Sequence, residues 1–495
     1  MHILADAMTF NVGVFLVLAV GLALSFEFVN GFHDTANAVA TVIYTHSLPP
    51  NVAVIWSGIW NLIGVLCSDG AVAFGIVSLL PVELVINVGS TAGFAMVFAL
   101  LISAIIWNLG TWYLGLPASS SHTLIGAILG VGLGNSFMTP GHVFGEGVNW
   151  AKAGEVGLSL IVSPIIGFVC AALLLLLTKA LIRSPELYKS PEGKPPPGWI
   201  RGLLVATCTG VSYAHGSNDG QKGMGLIMLI LVGILPGTYA LKMDTNEDAM
   251  KQIVVASQSA SESFEKLAAG RALPLAEASA ELSRYSKTGA ATSDKLIPAL
   301  AAKSREINVR IKGLHGLTEL PEAERRGLRT DFYLVAGSIT KLNKAGGITE
   351  AAAKESAGKF ATQLGAATKY IPNWVKYAVA FALGLGTMIG WKRIVVTVGE
   401  KIGKDHLTYA QGASAELVTM CTIGAADYLG LPVSTTHVLS SGVAGTMAAN
   451  KSGLQMNTVR NLLIAWVLTL PVCIFLGASI FSFALYVLLN VLGLK

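Results

Sequence analysis

The sequence predicts an all-α polytopic membrane protein: two related bundles with broken or re-entrant helices, plus one soluble helical insert. Three observations lead there. Charge is scarce outside one segment, long apolar runs recur along the chain, and two motifs repeat at matched spacing. Of 495 residues, 53% are apolar and 13% charged, against about 25% charged in a soluble domain. Residues 243–372 hold 33 of the 63 Asp, Glu, Lys and Arg residues. The remainder is far too poor in charge to cover a water-facing surface.

The charge-poor part contains runs such as VGVFLVLAVGLALSF (12–26), FAMVFALLISAIIW (94–107), LIVSPIIGFVCAALLLLLTKALI (160–182) and LLIAWVLTLPVCIFLGASIFSFALYVLL (462–489). They approach or exceed the ~20 residues a helix needs to cross a bilayer, and their number allows roughly 10–12 spans. The 54 glycines suit close helix packing in lipid. The opening MHILADAMTF has no basic n-region, so the first apolar run reads as a retained span. Cys67, Cys170, Cys208, Cys421 and Cys473 lie in apolar stretches without a C-x-x-C pair, as small buried hydrophobes do. A net charge of +5 over this length is no nucleic-acid footprint.

The domain plan follows the composition. Residues 1–182 form membrane repeat 1. Residues 183–199 are a basic, proline-rich linker, placed in the cytoplasm because juxtamembrane Lys and Arg stay inside. Residues 200–242 begin repeat 2, residues 243–372 are the charged insert, and residues 373–495 complete repeat 2. The stretch 390–406 is also basic and favours the inside. The insert is rich in Ala, Ser, Glu and Lys with apolar residues near a 3.6-residue period, which predicts soluble helices.

The repeat is legible in two motif pairs. Gly31-Phe32-His33-Asp34-Thr35-Ala36-Asn37 aligns with Gly216-Ser217-Asn218-Asp219-Gly220-Gln221-Lys222, a separation of 185. YLGLPASSSHTL (113–124) aligns with YLGLPVSTTHVL (428–439), a separation of 315. The separations differ by 130 residues, the length of the charged segment. Duplicated membrane proteins with polar, Gly-interrupted helices hold a substrate between their halves. Ionisable groups in hydrocarbon cost at least a few kcal/mol each on insertion scales. Asp34, Asp219 and Lys222 therefore need partners or cargo.

The second motif points to the cargo. Pro suits a first helical turn, and Ser and Thr suit N-caps. Pro117–His122 and Pro432–His437 each read as a helix beginning inside the membrane, with free N–H groups and hydroxyls that favour an anion. A carboxylate repels an anion unless the anion carries a proton to donate. Phosphate keeps an O–H near neutrality and sulfate does not, so the Asp residues favour phosphate. A coupling cation or proton on an Asp is the other use.

At these residues the chain resembles the inorganic phosphate transporter (PiT) family, and its bacterial low-affinity branch in particular. The resemblance covers nearly all of the chain outside the insert. It implies an inverted-topology repeat, a homodimer in the bacterial inner membrane, and phosphate carried with a driving cation. For the bacterial branch it implies proton-coupled symport, with phosphate possible as a neutral complex with a divalent metal; sodium coupling, or another oxyanion such as sulfate, is the alternative. No resident cofactor, catalytic residue or nucleic-acid partner is expected. By the same similarity the phosphate site maps to Asp34, Asn37, Ser119, Ser120 and Ser121 in the first half, and to Asp219, Ser434, Thr435 and Thr436 in the second.

Two positions depart from the family pattern: His33 and Lys222 stand where Asn is usual. The second leads us to expect the Lys222 ammonium in the place of a bound sodium. Glu416 and Glu27 are further intramembrane acids suited to a coupling proton. By register the partner of Glu416 is Leu101, so this acid is unique to one half. His33, Thr35, Asn218, Gln221, His122 and His437 are supporting residues, the last two holding the Ser/Thr turns. An intramembrane hydrolase would need one distinguished nucleophile. Two equivalent clusters argue against it.

Overall fold

The apolar runs become helices, and those over 160–182 and 462–489 turn large hydrophobic side chains outward, the reverse of a soluble protein. The structure is a computed structural model that describes residues 10–77, 79, 90–139, 141, 143–146, 148–191, 193–288, 293–491 and 493. The first half contains α1 (Phe10–Asp34), α2 (Ala36–Tyr44), α3 (Pro50–Cys67), α4 (Ala71–Val77), α5 (Thr91–Tyr113), α6 (Ser120–Met138) and α7 (Trp150–Leu181). After the linker come α8 (Gly198–Ile234) and the insert helices α9 (Glu247–Ala268), α10 (Leu275–Thr288), α11 (Leu296–Ile311), α12 (Glu322–Lys344) and α13 (Ala351–Thr368). The second half resumes with α14 (Asn373–Thr387), α15 (Lys392–Glu400), α16 (Tyr409–Tyr428), α17 (Thr435–Asn450) and α18 (Met456–Tyr486). Most of the opening MHILADAMTF lies outside the described residues.

Leu177, Val467 and Phe475 on α7 and α18 are 53%, 72% and 68% exposed, while Lys222 is 0% exposed. Among the described residues five helices are long and apolar enough to cross a membrane, or six if the pair α14–α15, bent by 63°, counts as one span. The 10–12 expected spans are thus not all recognisable as autonomous apolar helices. Helices α6, α8, α16 and α17 fall outside that set: α17 has only 16 residues, and the others carry Ser, Thr, His, Asp, Lys or Glu of the interior, which dilute their apolar runs.

The halves interlock through backbone contacts that only glycine permits. A Cβ on Gly216 of α8 would strike Asn61 O of α3, and a Cβ on Gly31 of α1 would strike Leu383 O of α14. Gly64 meets Tyr213 O, and Gly386 meets Phe28 O. These are the same contacts made twice. They set α14 against α3 at a separation of 322 residues, seven more than the 315 between the Ser/Thr motifs. The register between the halves therefore drifts, and the single 130-residue difference is a net value. In the same reciprocal way α6 packs on α18 and α17 on α7. Helices at this distance gain van der Waals contact where lipid offers no hydrophobic drive.

The insert has its own apolar core, with Phe264, Phe332, Phe360, Leu282 and Leu300 buried together. Its two ends are drawn close where Lys242 N donates to Ala367 O at 2.8 Å. The linker lies at the opposite end of α8. There Ser190 Oγ reaches His406 O at 3.4 Å, Arg201 Nε donates to Ser47 O at 2.7 Å, and Lys179 reaches the Asn450 side chain.

Candidate functional site

The helix α1 stops at Asp34 and α2 starts at Ala36, so the first motif sits at a break. Thr35, the residue between the two helices, secures the break: its Oγ1 lies within donating distance of Gly31 O at 2.7 Å and of Thr387 O at 2.9 Å. The second motif lies within the unbroken α8. The two Ser/Thr turns are N-caps, as the sequence chemistry requires. Ser119 Oγ accepts from His122 N at 3.2 Å, and Ser434 Oγ accepts from His437 N at 3.1 Å. Both turns point their helix N-termini into the interior, beside the carboxylates.

Seven predicted residues converge there. Ser120 Oγ lies 3.0 Å from Asp34 Oδ2 and 3.3 Å from Asp219 Oδ2. Lys222 Nζ donates to Asp219 Oδ2 at 2.6 Å and to Ser120 Oγ at 3.2 Å. Thr436 Oγ1, from the other half, donates to Asp34 Oδ1 at 2.7 Å. Asn37 Nδ2 closes the group by donating to Thr435 Oγ1 and Thr436 Oγ1 at 3.0 and 2.9 Å. Asp219 Oδ1 and Asn37 Oδ1 are buried without a hydrogen-bond partner among the described residues. Two carboxylates, one ammonium and three hydroxyls thus share one enclosed space, where charges act through a low dielectric.

Other predicted residues support this group from outside it. Ser121 Oγ donates to Val433 O at 2.7 Å and ties the first turn to the second. His33 bridges Asp34 Oδ1 at 3.2 Å and Thr111 Oγ1 at 3.1 Å. Asn218 turns to Leu431 O at 3.2 Å, and Gln221 reaches Asp427 Oδ1 at 2.7 Å and Val72 N at 2.8 Å. These last two fasten α8 to its neighbours and do not join the cluster. The His122 and His437 rings face each other at 4.7 Å between centroids, with Trp466 stacked on His437 at 4.1 Å. Glu27 is buried beside Gly223 and meets Asn30 Nδ2 at 3.5 Å. Glu416 accepts from the Thr207 hydroxyl. Neither acid belongs to the Asp34–Asp219 group.

One central residue was missed by the sequence reasoning. His215 Nε2 stands 3.4 Å from Asp219 Oδ2 and 3.8 Å from Asp34 Oδ2, with Nδ1 held by Asn61 Oδ1 at 2.7 Å. The signal was present. His215 lies four residues before Asp219, on the same face of any helix through both. Its repeat counterpart, Asn30, is not a histidine, so the motif alignment passed over it. Asp34, His215 and Asp219 offer ligand atoms all within 4.8 Å of one another, a donor set that suits a divalent cation. With Lys222 Nζ at 2.6 Å on Asp219, the ammonium would have to yield for such an ion to use that oxygen.

A polar interior of this kind, lined by both halves and wrapped in exposed apolar helices, is that of a membrane transporter rather than an enzyme. The model of the phosphate transporter family matches residues 30–477. The chain is 42% identical to the low-affinity inorganic phosphate transporter PitB of Escherichia coli (strain K12), over 96% of this chain and 97% of that one. It is 42% identical to PitA of the same organism, over 98% and 99%. The chain belongs to the phosphate transporter family. Among solved structures, the sodium-dependent phosphate transporter shares the fold, with a TM-score of 0.51 and 20% identity over 94% of this chain and 98% of that one.

Proposed function

We propose that the chain is a low-affinity inorganic phosphate transporter that works by proton-coupled symport in the bacterial inner membrane. The observation that carries the coupling is the Lys222 ammonium, buried on Asp219 at 2.6 Å and on Ser120 at 3.2 Å. It supplies, on a tether, the monovalent cation that a sodium-coupled site would have to recruit from solution. A positive charge already fixed against the carboxylate leaves protons as the mobile partner. Glu27 and Glu416, buried outside the cluster, are the acids we assign to carry them.

Phosphate fits the interior by the balance of donors and acceptors. Helix N-termini and hydroxyls replace the hydration of its bare oxygens. The carboxylates of Asp34 and Asp219 accept from its P–O–H groups, which fully ionised sulfate lacks. The Asp34–His215–Asp219 cluster favours a second form of the cargo, phosphate entering as a neutral complex with a divalent metal.

Helix directions support an inverted arrangement of the halves. From the shared centre α6 runs along α18 toward Phe481, while α17 runs to Asn450 beside Lys179. With the basic linker inside, the insert at the other end of the 37-residue α8 lies outside. The resemblance adds the expectation of a homodimer, which light scattering of the purified protein decides.

The test is phosphate uptake into reconstituted vesicles without sodium, under an imposed pH gradient and with sulfate as competitor. Uptake that follows the gradient and ignores sulfate is the expected result. A strict sodium requirement, or equal competition by sulfate, overturns the reading.

A further inference from the structure

At the linker end of the bundle a groove of about 560 Å³ opens between the end of α5 and the start of α15. Among the described residues its lining includes Lys392, Arg393 and Lys401 and no Asp or Glu. The nearest acid in sequence, Glu400, is not among the lining residues. Arg393 is held in place: its guanidinium lies 5.2 Å from the Trp112 ring and 4.9 Å from the Tyr113 ring, and Nη1 donates to Tyr113 O at 2.7 Å. Trp112 Nε1 donates to Gly390 O at 2.7 Å and pins the opposite wall. The walls are therefore preorganised, while Lys392 and Lys401 are exposed.

The groove adjoins a lipid-facing ribbon. Phe381, Leu385 and Ile389 follow one another at four-residue spacing and are 58%, 52% and 55% exposed. Leu114, 69% exposed, flanks the groove on the other side. Such a surface wants hydrocarbon along the ribbon and an anion at its end. Cations with aromatic rings at the edge of a membrane helix are the arrangement that holds anionic headgroups.

We propose that this groove binds the phosphate group of an anionic phospholipid, with the acyl chains laid along Phe381, Leu385 and Ile389. The site is separate from the Asp34–Asp219 cluster, and the inference requires only that the chain is embedded in a bilayer. By seating on the elbow between α14 and α15, the lipid would brace the bend next to Phe32, which meets Trp112 at 5.1 Å.

The experiment uses the full chain in nanodiscs of phosphatidylcholine mixed with phosphatidylglycerol, with native mass spectrometry counting the lipids retained. Selective retention of phosphatidylglycerol is expected. The double variant Lys392→Gln/Lys401→Gln spares Arg393 and its bond to α5, and should weaken that retention about 30-fold, from ~1 kcal/mol per cation. Equal retention of the two lipids, or retention unchanged in the variant, overturns the proposal. A second arm titrates orthophosphate into discs of phosphatidylcholine alone. If the variant loses an orthophosphate site there, and orthophosphate displaces phosphatidylglycerol from the parent, the groove serves free phosphate and the lipid assignment fails.

Discussion

Asp34 and Asp219 stand 185 positions apart in the chain, yet one hydroxyl, Ser120 Oγ, reaches a carboxylate oxygen of each, at 3.0 and 3.3 Å. A hydroxyl carries a single proton, so it can donate to only one of them at a time. The second carboxylate depends on Lys222 and His215 for its compensation. This shared hydroxyl is where the first half of the chain meets the second, and it lies at the N-terminus of α6, where an oxyanion is also favoured.

Replacing either carboxylate by its amide keeps the shape and removes an ionised acceptor. Asp34→Asn and Asp219→Asn are each expected to lower phosphate uptake by about 10- to 100-fold, the worth of one charge-assisted hydrogen bond. Initial rates in vesicles at matched protein content measure this. Parental rates in both variants would remove the acids from the site.

Lys222→Asn places at 222 the residue that its repeat counterpart, Asn37, already has. Sodium-free uptake should fall by at least about tenfold, with a sodium response appearing in its place. Removing one member of a buried pair also destabilises, by about 3–5 kcal/mol. The thermal midpoint in detergent must therefore be read beside the rate. Uptake equal to the parent's in the absence of sodium would dismiss the tethered-cation reading.

The interlock of the halves predicts a position-specific penalty. Gly216→Ala and Gly31→Ala drive a methyl into the Asn61 and Leu383 carbonyls, at a cost of about 1–3 kcal/mol for overpacking. Gly110→Ala, on α5 with nothing within 4 Å of the added methyl, should be neutral or slightly stabilising. Thermal unfolding of the three variants in one detergent separates the cases, and a Gly216 variant as stable as the Gly110 one would refute the packing argument.

The insert offers a pH-dependent test outside the membrane. Glu281 is held below the usual carboxylate range, first by its hydrogen bonds to the Arg284 guanidinium at 2.7 and 2.9 Å, against a smaller opposing effect of burial, with Ser293 also donating. A depressed carboxylate stabilises the fold above its unfolded pKa of about 4.3 and loses that contribution as pH falls through the folded value. Glu281→Gln should cost about 1 kcal/mol or less at neutral pH, as a partly exposed pair allows, and nothing in acid. Hydrogen exchange in α10 at both pH values reads the difference; an equal effect in acid and at neutrality would contradict it.

Much of this protein is written in its local composition. The charge-poor runs, the charge-rich segment and the twin motifs predicted the membrane part, the insert and the repeat. Pro-x-Ser before a helix placed the two N-caps, because capping is decided within a few residues. The residue types that meet at the centre, Asp, Ser, Thr, Asn and Lys, were legible for the same reason: in hydrocarbon a polar group stands out against its neighbours.

Tertiary structure alone decided which of them meet. Ser120 and Thr436 reach Asp34, whereas Ser121 turns to Val433 and Gln221 to Asp427, a choice made by helix rotation and not by residue type. The place of His215 between the two carboxylates depends on how α8 lies against α1 and α6. The seven-residue drift between α3 and α14 is set by which glycine faces which carbonyl. Those are contacts between segments far apart in the chain, and their energies come from close packing of whole helices, which no short stretch of sequence contains.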